Sequence, residues 1–192
     1  MRPFDSLEER ELVARAKEGD VEAFEFLVRR FQGSIYGLCY RLTGVHQSAD
    51  DLSQETFIKA YFALSQFHDG LSFFTWIRRI AINNCLNHLR AGKREEPLGE
   101  KENRVPGNSG SSPGSPQDEL LRNRMEQDFA KALRALPSKL RAVFVLRVFD
   151  DLNYREIAQV LDIPEGTVMS RLNRARQKLK TRLAHYLSRR GR

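Results

Sequence analysis

The chain has 192 residues, 41% of them hydrophobic, and a formal net charge of +7. That apolar share suffices for one large core or two small ones, while no run approaches the roughly 20 apolar residues of a bilayer-spanning helix and no signal-peptide core follows Met1. The basic excess is uneven: after Glu165 no acidic residue occurs, whereas nine Lys or Arg follow, so a cytoplasmic protein that meets a polyanion is the expectation.

From the N-terminus the pattern is helical, with apolar residues at steps of three and four: Phe24, Leu27, Val28 and Phe31, then Ile35, Leu38, Cys39 and Leu42. Ser48 with Asp51 three positions on predicts an N-cap for the next helix, whose Phe57, Ala60, Tyr61 and Leu64 share a face. Its segment DDLSQETFIKAY sets Asp51 and Glu55 four apart, with Gln54 beside them and Lys59 one step further. This acidic start serves either the helix dipole alone or a basic partner helix. A loop around His68, Asp69 and Gly70 follows, and a further helix is predicted from about Phe73 to Arg90, with Trp76, Ile77, Ile80 and Ala81 inward. On its other side Arg79, Asn83, Asn87 and Arg90 form a polar stripe. Asn amides with aromatic neighbours can bond and stack on unpaired bases, and Arg can take phosphate, so the stripe suits single-stranded nucleic acid.

Residues 93–117 change character, culminating in PGNSGSSPGSPQ, and read as a flexible linker. Fully stretched it would span roughly 80 Å. It divides the chain into expected domains 1–92 and 118–192. Asp118 is expected to cap a helix carrying Met125, Phe129, Leu133 and Leu136, and Pro137 to begin another with Leu140, Val143 and Phe144.

The run LNYREIAQVLDIPEGTVMSRLNRARQKLK then reads as a helix-turn-helix. Asn153 and Glu156 resemble a capping box, Ile157, Ala158 and Leu161 form the buried side, and Asp162, Ile163 and Pro164 make the turn. Small Ala158 would let the two helices approach, and Ile163 would pin the corner. The second helix opens near Glu165 and Gly166, with Val168, Leu172, Ala175 and Leu179 at steps of four, three and four. Its free face carries Thr167, Ser170, Arg171, Asn173, Arg174, Arg176 and Lys178, a set that can read base edges in the major groove and neutralise phosphates.

Cys39 and Cys85 lie inside apolar helical patterns and read as buried thiols. None of His46, His68, His88 and His185 approaches a cysteine with the spacing of a closed zinc site, so no metal and no cofactor is expected. Paired catalytic carboxylates, a nucleophile with a base, and a phosphate-binding Gly loop are all missing from the sequence pattern, which points away from an enzyme.

Taken in order, DLSQETFIKAY, FTWIRRIAIN and REIAQVLDIPEGTVMSRLNRAR resemble the extracytoplasmic-function sigma factors, with residues 20–90 similar to region 2 and 125–185 to region 4. The resemblance implies an all-α protein of two small domains on a flexible linker. It implies docking of Asp51, Gln54, Glu55 and Lys59 on the β′ clamp helices of core RNA polymerase, and contact of region 4 with the β flap. It further implies capture of single-stranded −10 DNA by Phe67, Phe73, Trp76, Arg79, Asn83 and Asn87, duplex −35 reading by region 4, and silencing by an anti-sigma factor. Met169 stands where many relatives carry Arg, and Asn173 where an aromatic is common. The rival reading is a helix-turn-helix regulator that binds duplex DNA without recruiting polymerase.

Overall fold

The computed structural model describes residues 8–68, 72–95 and 116–187. All regular structure among them is helical: α1 (Glu9–Lys17), α2 (Val21–Thr43), α3 (His46–Phe62), a 3-10 turn at Leu64–Gln66, α4 (Phe73–Glu95), α5 (Pro116–Arg134), α6 (Ser138–Val148), α7 (Tyr154–Leu161), α8 (Glu165–Arg182) and α9 (Ala184–Leu187). The chain divides into two compact units, the first built on α1–α4 and the second on α5, α6, α8 and α9. The linker expected over 93–117 lies outside the described residues except at its ends. There α4 runs on to Glu95 and α5 begins at Pro116, because Lys93, Arg94 and Glu95 are good helix formers and Pro suits a first helical turn. Asp118 therefore falls inside the first turn of α5 and is not its cap.

In the first unit α2 packs on α1, α3 and α4. Its buried stripe runs through Ala23, Phe24, Leu27, Phe31, Ile35, Leu38, Cys39 and Leu42, at the three- and four-residue steps of one helix face. The Asp20 side chain accepts from the Ala23 amide at 3.1 Å to start the helix. Gly44 ends it in the left-handed region, φ 77°, its amide donating to the Tyr40 carbonyl at 2.7 Å. The chain then needs a single extended residue, Val45, before α3 begins. Ser48 is consequently within the first turn, and the cap is Val45, whose carbonyl accepts from the Ala49 amide at 3.0 Å.

α1 holds the entry to α4 from two sides. A Glu9 carboxylate oxygen accepts from the Phe73 amide at 2.6 Å, placing a negative charge at the start of α4. Lys17 donates to the Phe67 carbonyl at 2.5 Å. Between them Phe67, Phe73 and Trp76 pack with ring centroids 5.3–6.1 Å apart. Cys39 and Cys85 are both buried, as expected, and the Cys85 thiol is pushed up in pKa by its hydrogen bond with Cys39 and then by burial.

In the second unit α6 packs on α8. The cap of α6 is Pro137, so the helix proper starts one residue later than expected. Of the face expected on α5, Leu133 and Leu136 are buried, Phe129 is half-buried and Met125 is exposed. Arg141 is 6% exposed, with Nη2 donating to the carbonyls of Arg134 and, at 3.1 Å, of Leu136. A cation thus sits on the last carbonyls of α5, where the helix dipole favours it. Burial first, and the nearby Arg134 charge second, lower its pKa to about 10, which leaves it charged at neutral pH. The Tyr186 hydroxyl donates to Asp128 at 2.6 Å and ties α9 to α5; that bond holds the Asp128 carboxyl below the usual carboxylate range.

No helix among the described residues is long and apolar enough to cross a membrane. Replacing Arg141 with Leu should destabilise the second unit by about 3 kcal/mol, because the carbonyls of Arg134 and Leu136 lose their charged donor. Denaturant unfolding followed by circular dichroism measures it, and an unchanged midpoint would remove Arg141 from the list of structural anchors.

Candidate functional site

Three exposed helix faces carry the residues singled out in the sequence. The first is on α3, where Asp51, Gln54 and Glu55 are all exposed. Lys59 is less free than its position suggests: its ammonium lies 2.6 Å from Glu55 and donates to Asn84 Oδ1 at 2.7 Å. The expected apolar face holds at Phe57, Ala60 and Leu64, which are buried, and fails at Tyr61, which is exposed with its ring edge-on to Phe24 at 5.0 Å. The sequence reading missed Ile58, 57% exposed, and Phe62, 77% exposed. They stand three and seven residues beyond Glu55, on the same stripe as Asp51 and Glu55. The helical register contained that signal, but exposure decides its meaning.

The second face is on α4, which packs against α3. Asn83, Asn87 and Arg90 are exposed and Arg79 is half-buried, so the polar stripe exists as expected. Arg90 donates to Asn87 at 3.1 Å, leaving the Asn87 amide nitrogen to point its donors elsewhere. The aromatic part of the expected set differs. Phe73 is 1% exposed and Phe67 is also buried, so these two rings belong to the core and offer no face on which a base could stack. The physical reason is a pair of long-range contacts: Lys17 and Glu9 of α1 bind the backbone on either side of the loop and draw its aromatic ends inward. Trp76 is half-buried on both. Phe74 is half-buried as well, stacked on Phe31 at 4.7 Å with the Arg78 guanidinium 3.9 Å from its centroid. Residues 69–71 of the expected base-capturing loop lie outside the described residues.

The third face is the helix-turn-helix. Asn153 and Glu156 close a reciprocal capping box: the Asn153 amide donates to Glu156 at 2.7 Å, and the Glu156 amide donates to Asn153 Oδ1 at 3.0 Å. On α7 the buried residues are Ile157 and Val160, while Ala158 and Leu161 are half-buried. The inward line of this two-turn helix is thus rotated from the expected one by a three-residue step. Asp162 turns the chain at φ 53°, a left-handed conformation that Asp tolerates better than most residues. Ile163 at the corner is half-buried, and extended Pro164 caps α8.

On α8, Val168, Leu172, Ala175 and Leu179 are buried, as their spacing requires. The side opposite presents Ser170, Asn173, Arg174 and Gln177, all exposed. Arg171 and Lys178 flank this line on one edge, with Met169, Arg176 and Lys180 on the other. The line therefore has hydrogen-bonding groups at its centre and cations at its rims, a distribution suited to base edges between two phosphate backbones. Thr167 is half-buried, and the Ser170 hydroxyl donates to its carbonyl at 3.0 Å. Gln177 was missed in the sequence, although its place on the helical wheel marks it.

Comparison with known proteins identifies both units. Residues 27–95 match the family description Sigma-70 region 2, and residues 126–179 match Sigma-70, region 4. The chain is 39% identical over 175 residues to an RNA polymerase sigma-H factor of Pseudomonas aeruginosa, covering 88% of this chain and 91% of that one. It is 37% identical over 186 residues to an ECF RNA polymerase sigma-E factor of Escherichia coli, covering 93% and 96%. Among solved structures it is similar to the sigma factor RpoE in complex with the anti-sigma factor NepR from Bartonella quintana, with a TM-score of 0.67, 26% identity, and coverage of 84% and 96%.

Removing one half of the capping box tests the local argument. Asn153→Ala should cost about 1 kcal/mol of stability, read as a lower thermal midpoint and faster amide exchange at the start of α7. Unaltered exchange there would show that the box does not hold the helix start.

Proposed function

This chain belongs to the extracytoplasmic-function family of sigma factors, and from that premise we propose how its three helix faces divide the work of starting transcription. As a member it is a non-enzymatic initiation factor that binds core RNA polymerase, directs it to promoters and promotes opening at the −10 element. The rival reading, a regulator independent of polymerase, is not favoured, because the likeness extends over both units and not over the helix-turn-helix alone.

The α3 stripe takes the polymerase role. Asp51, Gln54 and Glu55 supply an acidic, hydrogen-bonding surface for a basic helix of the clamp, and exposed Ile58 and Phe62 continue it with apolar area. Charges at such a surface set the encounter rate and the register, whereas a buried aromatic anchor commonly carries most of the affinity. The α4 stripe takes the −10 strand, with Asn83 and Asn87 as base-facing amides and Arg79 and Arg90 toward phosphate. Phe67 and Phe73 serve this surface by holding α4 in place from the core. The α8 face reads the −35 duplex, where Arg174, Asn173 and Gln177 meet base edges and Arg171, Arg176 and Lys178 meet phosphates. Residues 1–92 and 118–192 would then be the two promoter-gripping domains, joined by 93–117.

Opening follows without covalent chemistry. A surface that binds unpaired bases and has little affinity for the paired duplex shifts the equilibrium toward the melted state by its differential affinity. Each captured base offsets an unstacking cost of a few kcal/mol. The solved likeness to a sigma factor bound by an anti-sigma factor supports a protein inhibitor as a further partner, and the family role supports a cytoplasmic location. The observation that carries this reading is the joint occurrence of the α4 amide stripe and the α8 face in one chain matched along both units.

Runoff transcription with core polymerase tests it, since specific initiation that requires the chain is expected, and initiation equally efficient without it refutes the assignment. Asn83→Ala should reduce promoter opening, followed by permanganate reactivity, at least ~10-fold while closed-complex affinity stays within about twofold. Equal loss in both steps would take base capture away from α4. Replacing Arg171 and Arg174 with Ala should weaken −35 binding, and the loss of Arg171 should lower the magnitude of the log K against log salt slope by roughly 1. An unaltered slope would mean that Arg171 does not meet phosphate, and unaltered base preference would mean that Arg174 does not read base edges.

A further inference from the structure

Among the polar residues of the first unit, Asn84 is unusual. It sits beside Asn83 in sequence but on the inward side of α4, 6% exposed. Its amide nitrogen donates to Thr56 Oγ1 at 3.2 Å, and that fully buried hydroxyl donates in turn to the Leu52 carbonyl at 2.6 Å. Its amide oxygen accepts from the Lys59 ammonium at 2.7 Å, and the ammonium lies 2.6 Å from Glu55. A continuous chain of hydrogen bonds therefore runs from the inner side of the promoter-facing helix to a carboxylate on the polymerase-facing one.

We propose that Lys59 is a positioning residue which, anchored by Asn84, fixes the Glu55 carboxylate in the orientation that polymerase docking requires. This rests on the reading of Glu55 as a docking residue given above. An exposed Glu and Lys four apart on a helix usually gain little from each other, because holding two long side chains in one geometry costs rotamer freedom. Here the ammonium has a second partner that cannot move: Asn84 is buried, and both ends of its amide are bonded. The freedom of the four-carbon stem is thus already restricted by the core, and Glu55 meets a cation at a defined place. Buried amides with both ends satisfied rigidify what they touch. The same geometry leaves the ammonium turned toward Glu55 and Asn84, which is the arrangement of a brace for the carboxylate and not of a free cation reaching for the clamp.

The test is a double-mutant cycle on the affinity of the full chain for core polymerase, measured by anisotropy of a labelled chain. Glu55→Gln, Lys59→Met and Asn84→Ala should each weaken binding, by roughly fivefold for the two positioning variants. The Glu55→Gln/Lys59→Met and Glu55→Gln/Asn84→Ala doubles should be no weaker than Glu55→Gln alone. That non-additivity is a readout that simple destabilisation does not produce, and thermal midpoints are measured alongside; Asn84→Ser replaces Asn84→Ala if the latter fails to fold. Full additivity, or wild-type affinity of a folded Asn84 variant, overturns the positioning role while leaving the docking reading intact. Wild-type affinity of Glu55→Gln is a different failure, because it removes the docking reading itself and the brace with it.

Discussion

α2 buries one apolar stripe, from Ala23 to Leu42, against three other helices, and the remaining geometry of the first unit depends on that burial. A helix whose inner face is fixed by packing has its outer face fixed as well. A register slip of one residue in α4 would rotate it by more than a quarter turn, carrying Asn83 toward the core and exposing Ile82. The close packing of Ile77, Ala81, Ile82 and Cys85 forbids it. The outward placing of Asn83 thus relies on the ordinary chemistry of a hydrophobic core on the opposite side of the helix.

The second unit follows the same logic with less material. α8 places a narrow line of four residues inward and leaves most of its circumference exposed. Such a helix is too basic and too weakly apolar to be stable alone, and its order comes from α6, whose middle is almost wholly buried. Arg141 extends that core by closing the end of α5 with a charge in place of a loop residue. The exposed side of α8 is accordingly long, running from Met169 to Lys180.

Where residues act within one or two turns of each other, the sequence was legible. The steps between Val168 and Leu179 specified the inner line of α8, the Asn153–Glu156 box formed as its spacing implied, and the amide stripe of α4 emerged at the expected positions. Legibility ended where distant segments decide the outcome. Phe67 and Phe73 could serve as well for stacking on bases as for filling a core, and contacts from α1, some 50 and 64 residues away, made them core. The bond between Lys59 and Asn84 joins residues 25 apart, and no local pattern announces it. The start of α3 was misplaced by three residues because Ser48 is a good cap by type, while the left-handed turn at Gly44 makes a cap there unnecessary.

The paired thiols of α2 and α4 have a consequence of their own. Cys39 and Cys85 are both sealed from solvent, so alkylating reagents cannot reach either sulfur, and Cys85 is in addition held in its protonated form. The interface between α2 and α4 therefore contains its own chemical clock. Only when α2 and α4 part can a maleimide reach the sulfurs, and the rate of its uptake counts those partings.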